Sequence, residues 1–265
     1  MSRILTRVAI VELSMRPLLL VAIAVASPFL GQAQTTSTPS KPIVIHADRV
    51  IDGRGKVIPG GTVVVRGDKI STVEEAPPGA PTYDLKGYTL MPGLIDAHAH
   101  LSWYFNRQGR YHTRQDGDTP VESMLSTAAN AYATLMGGFT TIQSPGSNED
   151  KDLREWIATG GIPGPRVLTS LGPLSQTKLT PDSLRALVRR RKMEGADVIK
   201  IFASASIRDG GAQTMSDEQL RAICGEAKAQ GMRTMVHAHS AASIKASVLA
   251  GCNQIEHGVF ADDET

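Results

Sequence analysis

The feature that most constrains this chain is a change of pattern at Met91-Pro92-Gly93. Beyond it, short apolar runs alternate with helix-like stretches, the sequence form of βα units laid around a parallel sheet. The apolar runs fall at residues 94–101, 140–144, 166–170, 198–203, 233–238 and 254–260. Helical spacing occupies residues 120–136, 181–193, 216–230 and 240–249. Thr180 before Pro181 reads as an N-cap followed by proline at the first helical position. Ser216 with Gln219 forms a capping-box pattern. Six such steps with short connections predict an α/β fold, an incomplete (β/α)8 TIM-type barrel. About 175 residues remain after residue 90, against about 250 for a whole barrel. Strands 1 to 6 are therefore expected across residues 91–265.

The chain before this point has a different character. Residues 42–90 carry β-branched runs such as TVVVR (62–66), punctuated by Asp52-Gly53, Pro59-Gly60-Gly61 and Pro77-Pro78-Gly79. No helical period interrupts them, so they predict a small all-β unit. Further upstream, Arg3, Arg7 and Arg16 precede the apolar run at residues 18–26, and Gly31 and Ala33 frame a cleavage point. That order predicts a secretory signal peptide over residues 1–33, with Met15 as an alternative start. The apolar run is about half the length needed to span a bilayer, so no stable membrane insertion is expected after cleavage. Residues 34–41 read as a polar leader, and an exported, periplasmic or secreted protein follows.

Composition closes off other classes. The chain is 41% hydrophobic and 20% charged with a net charge of +2, ordinary for a domain with a real core and without the basic excess of a nucleic-acid binder. Cys224 and Cys252 sit in helix-like stretches outside any CxxC pattern. They are expected as two small buried apolar residues rather than a disulfide.

The chemistry-bearing residues gather at the ends of the expected strands. Asp96, His98 and His100 alternate with alanines, so on a strand the two imidazoles share one face and can hold one metal ion. Barrel enzymes place their chemistry at this end of the strands. His237 and His239 repeat the alternation, and His257 ends the next apolar run. Five of the seven histidines thus fall at three strand ends; His46 and His112 carry no partner pattern and are expected on the surface or in loops. Lys200 is a lone cation within the apolar run VIKIF (198–202). It is either a snorkelling or carboxylate-paired lysine, or a desolvated amine whose lowered pKa leaves it nucleophilic toward carbon dioxide. Trp103, Tyr104 and Phe105 either line an apolar pocket beside the first histidines or pack the loop.

The segments MPGLIDAHAH (91–100), GGFTT (137–141), GIPGPR (161–166), VIKIF (198–202), VHAH (236–239) and IEHG (255–258) occur in this order. In that pattern the chain resembles the amidohydrolase superfamily, in its imidazolonepropionase-like and Xaa-Pro dipeptidase-like branch. The resemblance covers about residues 42–265 and implies metal-dependent hydrolysis of an amide, cyclic amide or dipeptide C–N bond by a metal-bound hydroxide. It implies two divalent metal ions, with zinc as the default. His98 and His100 would bind the more buried ion, a carbamate on Lys200 would bridge, and His237 and His257 would bind the second. His239 matches a position facing substrate. Residues 42–90 match the N-terminal part of a small β-sandwich. The resemblance also implies an aspartate on an eighth strand, for which Asp262 and Asp263 are poor substitutes; this predicts a partial barrel. An ester or lactone hydrolase on the same site, or a non-catalytic metal-binding fragment, are the alternatives. A small molecule or dipeptide is the implied partner, and a homo-oligomer is compatible with the pattern.

Overall fold

The computed structural model describes residues 41–74, 80–112 and 116–265. The expected signal peptide lies outside these residues, as does the leader apart from Lys41. Among the described residues, no helix is long and apolar enough to cross a membrane.

The β-rich segment forms one five-stranded sheet. Its strands are β1 (Ile43–Ile51), β2 (Val57–Pro59), β3 (Thr62–Arg66), β4 (Lys69–Glu74) and β5 (Tyr83–Leu90). β1 pairs antiparallel with β2 and β3 and parallel with β5, while β4 extends the sheet beyond β3. A register shift in β1 between Ala47 and Arg49 lets both Ala47 and Val50 face inward, where they meet Ile58 and Val63 in a small core of their own.

From Leu94 onward the chain alternates strand and helix. The strands are β6 (Leu94–Asp96), β7 (Phe139–Ser144), β8 (Arg166–Thr169), β9 (Val198–Phe202), β10 (Arg233–Ser240) and β11 (Gln254–Phe260). The helices are α1 (Pro120–Met136), α2 (Asp150–Ala158), α3 (Pro181–Met193), α4 (Asp217–Ala229) and α5 (Ala241–Leu249). The strands form two parallel three-stranded sheets, β6-β7-β8 and β9-β10-β11. Leu174, just past β8, joins them: its N–H donates to the Lys200 carbonyl and its carbonyl accepts from Phe202 N. Spatial order thus follows chain order, as βα units require. β6 and β11 are not paired among the described residues; the Gln254 side chain reaches across, with Nε2 3.3 Å from the Ala97 carbonyl. The described strands do not close into a barrel.

Local chemistry accounts for the boundaries. The Thr119 hydroxyl accepts from Glu122 N while the Glu122 carboxylate accepts from Thr119 N, a capping box that starts α1. Thr180, Ser216 and Ser240 cap α3, α4 and α5 in the same way, each accepting an N–H three residues on. α2 was not among the expected helices. It is nine residues long and interleaves charges, with only Leu153 and Ile157 packed inward among its apolar residues. The first expected strand, residues 94–101, is cut short at Asp96. The Asp96 side chain takes the His98 N–H at 2.9 Å, which interrupts the ladder at the histidines, and the Ala99 N–H to the Gln143 carbonyl is the contact with β7 that follows. At the other end of that strand, a Cβ on Gly93 would overlap the Thr140 side chain, so only glycine allows β6 this close to β7.

The main core lies between the β9–β11 sheet and α3, α4 and α5. Ile199, Ile201 and Val236 from the sheet meet Leu184, Val188, Leu220, Ile223 and Ile244 from the helices. One sequence expectation is corrected here. Cys224 on α4 and Cys252, in the turn between α5 and β11, form a disulfide with Cα atoms 5.2 Å apart. Their separation of 28 residues carries no local signal; the packing of α4 beside α5 brings them together. A closed loop of this length stabilises a fold by about 2–4 kcal/mol. Cys252→Ser is expected to lower the unfolding free energy by roughly that amount, measured by denaturant unfolding from midpoint and slope together, because the unlinked denatured chain exposes more surface. An unchanged unfolding free energy under oxidising conditions would show that the bond contributes nothing.

Candidate metal centre

Four strand ends converge on one space. His98 and His100 follow β6, Lys200 lies on β9, His237 and His239 on β10, and Glu256 and His257 on β11. Parallel register sets their heights: Met235 pairs with Lys200, and His237 pairs with Phe202 on one side and Glu256 on the other. The structure brings together all six residues singled out from the sequence. His98 Nε2 lies 3.2 Å from His100 Nε2. Ring centroids are 5.1 Å apart for His98 and His257, 4.7 Å for His237 and His257, and 4.5 Å for His237 and His239.

Lys200 does not snorkel. It is 1% exposed, its Nζ has no hydrogen-bond partner, and the Glu256 carboxylate stands 3.8 Å away. Desolvation pushes its pKa down to about 8. Burial likewise lowers His98 to about 3 and His100 to about 4, with the Lys200 charge as the next cause in both. His237 falls to about 4, again by burial, opposed by the Ala205 carbonyl. His257 moves the same way. All four rings are neutral at pH 7, the form in which imidazole donates a lone pair to a metal.

His239 is buried more deeply than His237, with Nδ1 unpartnered. A Cβ on Gly211, itself at φ +65°, would sit 2.6 Å from the His239 Cβ, so a glycine turn covers this ring. His257 adopts φ 71°, a left-handed backbone that is uncommon outside glycine and concentrates at functional sites.

Three further residues, Glu256, Gln254 and Gln143, join the cluster without a motif that marks them in the sequence. Glu256 is buried and abuts His98 Nδ1. Its other oxygen accepts from Gln254 Nε2, and Gln254 Oε1 accepts from Gln143 Nε2 at 2.9 Å. A carboxylate on the second nitrogen of an imidazole fixes its ring and tautomer, a recurring partner of metal-bound histidines. Glu256 carried the same signal as Lys200: a charge inside an apolar run. His112 lies in a loop, as expected, but it has partners that the sequence did not show. Its Nδ1 lies 2.7 Å from Asp118 Oδ2, which accepts a second hydrogen bond from the Tyr104 hydroxyl at 3.0 Å. Asp262 and Asp263 are exposed beyond β11.

A cavity of about 520 Å³ opens on the cluster, lined by His98, His100, Trp103, Glu256 and His257. A cavity of about 570 Å³ borders Arg154, Arg166 and Asp197. There Arg154 is already satisfied by Asp197 at 2.7 Å, so it offers no comparable chemistry. The donor set of the first cavity fits divalent cations. The Glu256 carboxylate and the unpartnered Lys200 Nζ and His239 Nδ1 are buried beside imidazoles that stay partly exposed, an arrangement that costs energy unless something satisfies it. Among the described residues, no three His, Cys, Asp or Glu side chains already surround one point. The fit is therefore one of donor chemistry and proximity.

The amidohydrolase family pattern matches residues 89–264. This chain belongs to that family. An ochratoxinase from Aspergillus niger is 27% identical over 85% of the chain and 56% of its own length. An imidazolonepropionase from Mesorhizobium japonicum is 23% identical over 77% of the chain and 58% of its own length. Among solved structures, a Xaa-Pro dipeptidase with methionine bound in its active site superposes with a TM-score of 0.75 at 27% identity. That match covers 84% of this chain and 63% of the other. The chain spans little more than half the length of the curated relatives it matches.

The lowered imidazole pKa values set a pH dependence. Each folded pKa lies below the ordinary 6.5, so in acid the unfolded chain takes up protons that the folded chain refuses. Stability carried by the neutral rings is complete above about pH 6.5 and is lost as pH falls through about 4. In metal-free denaturation, His98→Asn, which cannot take up the proton, is expected to gain on the parent chain between pH 7 and pH 4. A stability difference that stays constant with pH would contradict the buried neutral ring.

Proposed function

We propose that this chain carries the metal-binding half of an exported amidohydrolase that cleaves a C–N bond in a small amide, cyclic amide or dipeptide. One observation carries the reading: His98, His100, His237 and His257 gather around the buried, unpartnered amine of Lys200. His98 and His100 are assigned to one divalent cation and His237 and His257 to a second. His239, at the wall of the cluster, is assigned to substrate contact. Zinc is the default for an imidazole-rich set. When bound, such cations supply Lewis acidity, lowering the pKa of water and polarising a carbonyl oxygen.

The chain's own residues prepare that site. Glu256 holds His98 by Nδ1, leaving Nε2 turned toward His100 Nε2. Trp103 stacks on the His100 ring with centroids 3.8 Å apart and planes 8° apart, fixing its tilt. Two divalent cations need anionic partners that neutral imidazoles do not provide. Glu256 is one. Lys200 supplies another if its Nζ adds to the carbon of carbon dioxide, forming an N–C bond and releasing a proton to give a carbamate. The lowered amine pKa favours that addition. Export is supported by the charged, apolar, small-residue order of residues 1–33 and by the Cys224–Cys252 bond, which suits an oxidising compartment.

Metal content by elemental analysis after zinc loading tests the assignment. The parent chain is expected to hold two ions, His98→Ala to lose one, and Lys200→Ala to lose the bridge and most activity. Two ions and full turnover in Lys200→Ala would rule out the carbamate, and a parent chain that retains no metal would overturn the function. A panel of matched amides, esters and lactones separates C–N hydrolysis from its alternatives.

A further inference from the structure

A short hairpin stands at the mouth of the metal cavity. Asn106 N donates to the Arg110 carbonyl and His112 N to the Tyr104 carbonyl, pairing Phe105 with Tyr111 in an antiparallel bridge. The Asn106 side chain accepts from Gln108 N and Arg110 N at 3.0 Å each, which fixes the turn. The hairpin is anchored from below on both sides. Asn130 on α1 donates to the carbonyls of Leu101 and Trp103. Tyr104 and His112 stack with ring centroids 4.5 Å apart and share Asp118. Tyr104 is therefore packing, not pocket.

The upper side is different. Trp103 lines the cavity and rests one face on His100, yet remains 56% exposed. Tyr111, 49% exposed, meets it edge-on with centroids 5.7 Å apart and planes at 78°. Two flat, polarisable surfaces thus meet in an L beside His98 and His100. The neighbouring cations are drawn off this surface, Arg107 onto Glu122 and Arg110 onto Asp116. An exposed indole anchored through its backbone by a part-buried polar network exceeds what loop packing requires. Its geometry suits a third ring, offset-stacked or edge-on.

We propose that Trp103 and Tyr111 form an aromatic subsite, so that the substrates of this site are amides carrying a planar aromatic group next to the scissile C–N bond. The inference rests on the amidohydrolase reading for the bond that is cut, but not for the ring contact. Each ring pair gained is worth about a two- to twelve-fold change in affinity.

The test is calorimetric titration of the zinc-loaded full chain with N-acetylphenylalanine amide and N-acetylalanine amide. Thermal melts verify folding of every variant. The parent chain is expected to bind the phenylalanine compound at least about five-fold more tightly. Trp103→Ala should bring the two compounds to parity, Trp103→Phe should keep most of the preference, and Tyr111→Ala should lose a two-fold share or more. The ring contact of Tyr111 is with Trp103 and not with a histidine of the cluster, so its variant keeps the parent's metal content and carries the test if Trp103→Ala misfolds. Quenching of Trp103 in a Trp156→Phe background, where it is the sole remaining tryptophan of two, reports ring contact directly. Equal affinity of the parent for both compounds, or a preference unchanged in Trp103→Ala and Tyr111→Ala, overturns the subsite. Ring preference without metal or turnover sinks the hydrolase reading alone; metal and turnover without ring preference sink the subsite alone.

Discussion

The parallel register of β9, β10 and β11 is the constraint on which the rest depends. Side chains alternate across a strand, so a slip of one residue would carry every donor on that strand to the opposite face. With Met235 beside Lys200 and His237 beside both Phe202 and Glu256, Lys200, His237 and Glu256 come to one interior surface. The opposite faces, through Ile199, Ile201 and Val236, pack against α3, α4 and α5. Slipping the register would bury the charged residues among those helices and expose the apolar ones. The hydrophobic core therefore specifies the polar site, although the two share few residues. The Cys224–Cys252 bond adds to the same end, because it fastens the turn from which β11 departs.

Those elements were legible in the sequence to the degree that they obey local rules. α3 and α4 announce themselves through Thr180-Pro181 and the Ser216–Gln219 box, and β9 and β10 through short β-branched runs without glycine. The six donors could be picked out because polar residues at strand ends are conspicuous against alanine and isoleucine. What escaped was set by tertiary contact. α2 is too short and too charged to show a period; only packing of Leu153 and Ile157 stabilises it. The His98 segment reads as strand by alternation, yet a single side-chain acceptor on Asp96 outcompetes the ladder. The disulfide, the Gln143–Gln254–Glu256 chain and the Tyr104–Asp118–His112 cluster join residues that sequence spacing does not relate. Glu256 alone left a signal, a charge in an apolar run.

The polar interior also has its own logic. Imidazoles at 4.5–5.1 Å centroid spacing repel one another if protonated, and burial penalises the same state. Both effects act in one direction, so His98, His100 and His237 stay neutral well below pH 7. Lys200 then faces a choice between two unfavourable states. As an ammonium it has one carboxylate at 3.8 Å and no hydrogen bond; as a free amine it still lacks a partner. A group poorly served in both protonation states stores strain that a ligand or a covalent change relieves. The residue that looks least stable in the fold is thus the one around which the site is arranged.

The same balance reaches outward to the hairpin. Trp103 touches His100 through the face of its indole, and a neutral ring stacks there without the desolvation that a charged neighbour would demand. Were Arg107 or Arg110 turned inward, each would add a positive charge beside donors that already disfavour protonation, and would weaken any cation held there. Their pairing with Glu122 and Asp116 keeps that charge at the rim. The capping box at the start of α1 and the hairpin share this device, since Glu122 both caps the helix and holds Arg107. An uncharged aromatic mouth is accordingly the form of entrance most compatible with a neutral imidazole cluster behind it. The aromatic face and the imidazole cluster thus meet at the single ring of His100.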